Sequence, residues 1–209
     1  GHVRELGPRE VLSLPPEEQY LVATGRTYFR GLSFDDLRRM QVDLETTGLD
    51  PEVDRIFLIA LRGPDGRVEI LEAEDASAAA EARLIQALCA RVQALDPDVI
   101  ENHNLHGFDL PFLARRAERL RVPLGLGRAG LPGLRQRAAR RGMEAGEDRR
   151  VRYTVPGREL IDTLDAVWRY DFAARELPGH GLKEVARHLG LAEADREHIP
   201  GSRIDAEFR

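Results

Sequence analysis

Residues Gln41-Val42-Asp43-Leu44-Glu45 alternate polar and apolar side chains, and that alternation leaves little choice of structure. In an extended strand successive side chains point to opposite faces, so Val42 and Leu44 share one face and Asp43 and Glu45 the other. The first face needs a core. The second holds two neighbouring carboxylates, which are costly to take out of water without a counter-charge. Thr46-Thr47-Gly48 follows at once, and the glycine permits a sharp turn. The plain alternative is an edge strand carrying two solvated acids.

The flanking sequence supplies the other layers. Arg55 to Leu61 is a nearly continuous apolar run and predicts a buried strand. Gly63-Pro64-Asp65-Gly66 predicts a turn, and Arg67 to Leu71 a returning strand. Ser77 to Leu95 predicts a long helix with Leu84, Leu88, Val92 and Leu95 on one face, stopped by Asp96-Pro97-Asp98. Val99 opens a short strand ending near Asn102. Asp109 opens a helix carried by Leu110, Phe112, Leu113, Ala117 and Leu120, with Pro111 suited to its first turn. Tyr20–Thr24 and Thr27–Phe29 predict a hairpin around Gly25-Arg26, and Ser33 an N-cap. Residues 121–158 read as a long mobile loop or hairpin, with Arg149–Val155 a candidate lone strand. Leu160–Phe172 and Gly181–Leu189 predict helices. The fold class is α/β, a mixed central sheet flanked by helices. Residues 1–37 form an N-terminal extension, and 38–209 the α/β domain.

Asp43, Glu45 and Asp109 are hard oxygen ligands with no cysteine set beside them, which suits Mg²⁺ or Mn²⁺ and not Zn²⁺. Two such ions about 4 Å apart are the usual device for in-line phosphodiester cleavage, so nucleic-acid hydrolysis leads. Asp109 serves either as a helix N-cap, as a metal ligand, or as both. Asn104 is either a turn residue or one aimed at the site. Phe108 is a core plug in preference to a base-stacking platform. His103 and His106, three apart without cysteine partners, do not read as a zinc site.

The net charge of −5 argues at first against a nucleic-acid binder. The arginines, however, concentrate in 115–158, and Lys183 is the only lysine. Arg grips phosphate bidentately where Lys acts as a point charge. Arg128, Arg135, Arg137, Arg140, Arg141, Arg149, Arg150 and Arg152 form either a phosphate clamp or a solvated hairpin. A GC-rich genome is the plain source of so much Arg and Ala. The single Cys89 cannot make an internal disulfide and reads as a small core residue. No apolar run of about 18 residues occurs and no signal peptide is visible, so a cytoplasmic, non-membrane protein is expected.

With these residues in view, the chain resembles the proofreading 3′→5′ exonuclease domain of family B DNA polymerases, of the DEDD group with an RNase H-like fold. Asp43-Leu44-Glu45-Thr46-Thr47-Gly48 is similar to the family's first motif. Asp96-Pro97-Asp98-Val99-Ile100, then Asn104 and Phe108-Asp109-Leu110-Pro111-Phe112-Leu113, is similar to its second. Gly157–Leu164 and Gly181–Ala186 resemble the segments that follow. The resemblance implies a two-metal exonuclease acting on single-stranded DNA 3′ ends. Asp43 would bridge two Mg²⁺ or Mn²⁺ ions, Glu45 would hold the ion that activates water, and Asp109 the ion at the leaving oxygen. Asn104 and Phe108 would position the last nucleotides, and Thr46, Thr47 and Leu49 would contact the terminal sugar and base. Arg137, Arg140 and Arg141 are the loop residues expected to meet the nucleic acid.

The family's fourth carboxylate lies in a Tyr-x-x-x-Asp motif that this sequence does not contain, since neither Tyr153 nor Tyr170 has an Asp four positions on. Ser202-Arg203-Ile204 resembles the lead-in to the helix bearing it, so a domain lacking its last helix is expected. Asp162 and Asp205 are the possible substitutes, outside any matching motif. Two alternatives follow: a nucleic-acid-binding module that grips 3′ ends without turnover, and an RNA-trimming nuclease of the same fold.

Overall fold

The computed structural model describes residues 7, 14–27, 30–128, 133–137 and 151–192. The chain divides into two compact units, Gly1–Leu37 and Arg38–Arg209. In the first, helix α1 spans Pro16–Thr24 and closes on Gly25 in the left-handed region, at φ 65°. The expected strand Tyr20–Thr24 is therefore helical. Proline at a first helical turn loses no needed N–H, and glycine after the last turn is a helix stop as readily as a hairpin turn. Ser33 does cap a short element. Its N–H and hydroxyl both donate to Asp36 (2.7 and 2.8 Å) around a single 3₁₀ turn, Phe34–Asp36.

The second unit is built on strands β1 (Arg39–Thr46), β2 (Ile56–Arg62), β3 (Val68–Glu72), β4 (Val99–Asn102) and a further strand, β7 (Glu159–Asp162). They form one sheet in the order β3-β2-β1-β4-β7. The β1–β2 and β2–β3 pairs are antiparallel, the β1–β4 and β4–β7 pairs parallel. Helix α2 (Ala78–Leu95) links β3 to β4, capped by Ser77 Oγ accepting from the Ala80 N–H at 3.1 Å. A π-helical turn, Leu105–Asp109, precedes helix α3 (Leu110–Leu120). Met40, Val42 and Leu44 of β1, Ile59 and Leu61 of β2, Ile100 and Leu160 form one core with Leu84, Leu88 and Val92 of α2 and Phe112, Leu113 and Ala117 of α3. The alternation read at Gln41–Glu45 is thus realised: Val42 and Leu44 are buried while Gln41 and Asp43 are exposed.

Two expectations are corrected. Leu160 does not open a helix, because Glu159–Asp162 is the edge strand β7 and helix α4 (Thr163–Ala174) starts only after it. Four residues of period-two burial are too short to outweigh the longer apolar stretch downstream. The strand near Arg149–Val155 is not alone, and the hairpin alternative agrees with the pairing: β6 (Arg152–Thr154) pairs antiparallel with β5 (Arg135–Arg137) in a separate two-stranded sheet. Helix α5 spans Leu182–His188. Cys89 sits half-buried on α2 against the core. Among the described residues no helix is long and apolar enough to cross a membrane.

Candidate active site

Asp43 and Asp109 are brought together by a residue that the motif reading passed over. Asp43 faces outward from β1, and Asp109 ends the π-helical turn and is 4% exposed. The Asn102 side-chain amide, at the end of β4, donates to Asp43 Oδ1 at 2.9 Å and to Asp109 Oδ1 at 3.1 Å. Asp109 Oδ1 also accepts from the Leu44 N–H at 3.3 Å. β1 and β4 are parallel neighbours, with Gln41 opposite Glu101, so a residue at the end of β4 stands beside the end of β1. Asp109 stands at the N-cap position of α3, as read, but makes no side-chain cap bond to the helix. Its carboxylate is turned to the strand ends instead.

The electrostatics are those of uncompensated negative charge. Burial, then the neighbouring Asp43 charge, push the Asp109 carboxyl up to about 7, against the pull of the Asn102 and Leu44 hydrogen bonds. On its inner side Asp109 borders a small apolar void lined by Leu44, Leu88, Leu105 and Leu110, which offers no polar partner. The Glu45 carboxyl is also raised, first by burial and then by Asp43, while Lys183 on α5 draws it back down. Lys183 is the second residue missed in the sequence, although its being the only lysine marked it. Outside this pair lies an open groove of about 470 Å³, lined by Gln41, Asp43, Arg62, Asn102, His103 and Leu182 among others.

The remaining predicted residues are arranged around the pair, not on it. Thr46 donates its hydroxyl to Gly48 O at 2.7 Å. Thr47 Oγ1 accepts from the Arg55 N–H at 3.1 Å and donates to Asp54 Oδ1 at 3.3 Å. A Cβ at Gly48 would displace the Asp54 carboxylate, which accepts from the Thr47 hydroxyl and the Asp50 N–H. Leu49 is 82% exposed at the tip of this loop. Asn104 adopts the left-handed conformation (φ 64°) that begins the π-helical turn, and its side chain lies over Gly107. Phe108 packs against Phe112, ring centroids 5.5 Å apart, as a plug on the core. Of the arginines, Arg128 is taken up by Asp96 and Asp98 (2.7 and 2.8 Å) and Arg152 by Asp165 (2.5 Å), so neither is a loop clamp. Arg137 pairs through its backbone with Arg152. Arg140 and Arg141 lie outside the described residues, as do Arg149, Arg150 and Asp205.

Both histidines are committed to the fold. His103 Nε2 donates to His180 O at 2.9 Å and its Nδ1 meets Thr163 Oγ1 at 3.1 Å. His106 Nδ1 accepts the Tyr153 N–H at 3.2 Å. Asp162 is equally committed and is not a spare carboxylate. Its Oδ1 accepts from the Asn104 and Leu164 N–H groups (2.8 and 3.0 Å), and its Oδ2 from the His106 N–H at 3.0 Å. It is an N-cap for α4 that also braces the turn leading to Asp109. Asp162→Asn keeps the shape but faces one amide N–H with another, and is expected to cost about 1–3 kcal/mol in urea unfolding. An unchanged midpoint would show that Asp162 does not brace the turn.

Whether these residues suit a divalent cation is decided by their chemistry. Asp43, Glu45 and Asp109 are oxygen donors whose mutual repulsion and burial a hard cation would relieve. The Asp43–Asp109 pair is already joined through one amide. Among the described residues no group of three His, Cys, Asp or Glu is gathered tightly enough to hold a metal ion, so the donor set fits but is not closed.

Known proteins carry the same domain. The DNA polymerase family B exonuclease domain matches residues 39–185. The chain is 34% identical over 176 residues to DNA polymerase 2 of Aeropyrum pernix, covering 82% of this chain and 19% of that protein. It is 30% identical over 183 residues to DNA polymerase II of Escherichia coli K12, covering 81% of this chain and 21% of that one. The structure of the family B DNA polymerase from the hyperthermophilic archaeon Pyrobaculum calidifontis superposes with a TM-score of 0.62 at 29% identity, over 80% of this chain and 20% of that one. The chain thus spans about a fifth of the length of these relatives. Its mixed five-stranded sheet flanked by helices is the RNase H-like arrangement. By this match over most of its length, the chain belongs to the exonuclease-domain family of the family B DNA polymerases.

Proposed function

We propose that this domain is a metal-dependent 3′→5′ exonuclease that hydrolyses phosphodiester bonds at single-stranded DNA 3′ ends. The observation that carries the reading is the Asp43–Asp109 pair joined by the Asn102 amide, with Asp43 and Asn102 lining a groove of about 470 Å³, a volume that takes a nucleotide. Asp43, Glu45 and Asp109 are the ligands of two divalent ions, Mg²⁺ or Mn²⁺. Such ions supply a water of lowered pKa and stabilise charge on the phosphate and leaving oxygens. Lys183 partly offsets the upward push that burial and Asp43 give the Glu45 carboxyl. Thr46, Thr47 and Leu49 take the terminal sugar and base, with the exposed Leu49 offering an apolar face. Asn104 and Phe108 shape the turn that presents Asp109 and the path of the last nucleotides. Arg137, Arg140 and Arg141 meet the phosphate backbone, so binding weakens as salt rises.

The test is release of mononucleotides from a 5′-labelled single strand with Mn²⁺ or Mg²⁺. Asp43→Ala is expected to slow release on the order of a thousandfold, as loss of several kcal/mol of charge stabilisation requires. Degradation at the parent rate would remove Asp43 from the site. A second reading, a module that grips 3′ ends without turnover, is favoured by the open donor set among the described residues. It is distinguished by salt-sensitive binding of the strand with no release in either cation. Parallel assays on an RNA strand separate the deoxyribose from the ribose preference.

A further inference from the structure

Asn102 was not picked out by any motif, yet it is the residue on which both strand-end carboxylates converge. Its backbone is fixed by the sheet: it lies opposite Asp162 in the parallel β4–β7 pair, with its carbonyl 3.4 Å from the Thr163 hydroxyl. Its side chain is thereby held in the gap between β1 and the π-helical turn. The orientation of the amide follows from chemistry. Both partners are carboxylate oxygens, which accept, so the NH₂ group and not the carbonyl must face them. One proton goes to each carboxylate. Oδ1 of Asp43 is then engaged by Asn102, and Oδ1 of Asp109 by Asn102 and the Leu44 N–H. The Asp109 N–H also lies against its own carboxylate; among the described residues no donor from another residue is recorded on Oδ2 of either.

We propose that Asn102 is a positioning residue for the metal centre: its amide clamps the Oδ1 atoms of Asp43 and Asp109, leaving Oδ2 of each as the oxygen that binds a divalent cation. The proposal rests on the metal-dependent reading given above and adds to it the group that orders the ligands. Like charges as close as these drift apart unless something holds them. A cation does so when bound, and Asn102 does so beforehand. Outer partners of this kind typically change metal affinity 10- to 100-fold when removed. A carboxylate held by a neutral donor also keeps its negative charge for the ion, which a lysine or arginine in the same place would neutralise.

The experiment compares the parent with N102V, N102T and D43A in Mn²⁺ titration calorimetry, with thermal midpoints in EDTA and strand degradation recorded alongside. Val and Thr have the same shape and both suit the end of a strand, so they differ chiefly in one hydroxyl donor. N102V is expected to weaken Mn²⁺ binding about tenfold or more. The KM for the strand should stay near that of the parent while kcat falls. N102T, which keeps one donor, is expected to lie between the two, and it carries the comparison with the parent if N102V does not fold. Parent-like Mn²⁺ affinity in N102V and N102T, with binding lost in D43A, overturns the role of Asn102 and leaves the metal site standing. Parent-like affinity in D43A overturns the site itself, and the clamp with it.

Discussion

Glu81→Ala is expected to lower the stability of the domain by about 3–5 kcal/mol, the usual cost of removing one partner from a buried ion pair. Glu81 is 1% exposed, within the first turn of α2. Its Oε1 accepts from Arg116 Nε at 2.8 Å and from the Ile56 N–H at 2.9 Å, and its Oε2 from Arg116 Nη2 at 2.6 Å. Arg116, on α3, is itself buried and donates a third bond to Pro51 O at 3.0 Å. The alanine variant strands a buried guanidinium and an amide N–H together, so the loss reflects desolvation more than the worth of the pair. Urea unfolding should register it, with a fall in thermal midpoint on the order of 10 °C. Glu81→Leu combined with Arg116→Leu removes both charges and should recover most of the loss. A double variant as unstable as the single one would mean that packing, not the stranded charge, sets the cost. The pair also reaches the site. Pro51 and Ile56 are anchor points of the loop that carries Thr47 and Leu49, so amide exchange at Thr47 and Asp54 should quicken in Glu81→Ala before the domain unfolds.

How far the sequence carries this depends on the range of the interaction. The Val42/Leu44 against Asp43/Glu45 alternation and the α2 stripe at Leu84, Leu88 and Val92 are local, and each stands as read. Local reading fails where one signal serves two structures. Gly25 ends a helix where a hairpin turn was expected, and Leu160 and Asp162 belong to a strand within an apolar stretch that suggests a helix. The site is legible in its carboxylates and not in what holds them. Asp43, Glu45 and Asp109 lie in motifs of recognisable spacing, whereas Asn102 joins Asp43 across 59 positions of chain and Lys183 acts on Glu45 from a separate helix. Only the parallel placing of β4 beside β1 makes the first of these visible. Asp162 shows the converse error. A carboxylate near the site in sequence looks available as a ligand, but its oxygens are filled by three backbone N–H groups.

Asp109→Asn is expected to stabilise the metal-free domain while abolishing its response to metal. In the folded chain Asp109 keeps its proton until about pH 7, against a value of 3.8 when unperturbed. Between those values the folded state binds the extra proton, so this group's contribution to stability is full below about pH 4 and lost as pH rises to 7. A shift of that size corresponds to about 4 kcal/mol. Asparagine keeps an oxygen for the Asn102 and Leu44 donors and carries no charge, while its own NH₂ group takes back about 1–3 kcal/mol if left unpaired. A net gain of about 1–3 kcal/mol should remain at pH 8 in EDTA and turn into a loss of about 1–3 kcal/mol near pH 4, where the parent is neutral as well and only the cost of the unpaired NH₂ group is left. With Mn²⁺ the order reverses: the parent gains stability by binding and the variant does not. Strand degradation by the variant should fall on the order of a thousandfold. A variant no more stable than the parent at pH 8 would show that the Asp109 charge costs the metal-free fold nothing. Burial and the neighbouring Asp43 charge, the two causes that raise Asp109, are the costs that a bound cation would relieve above about pH 7, as a proton relieves them below it.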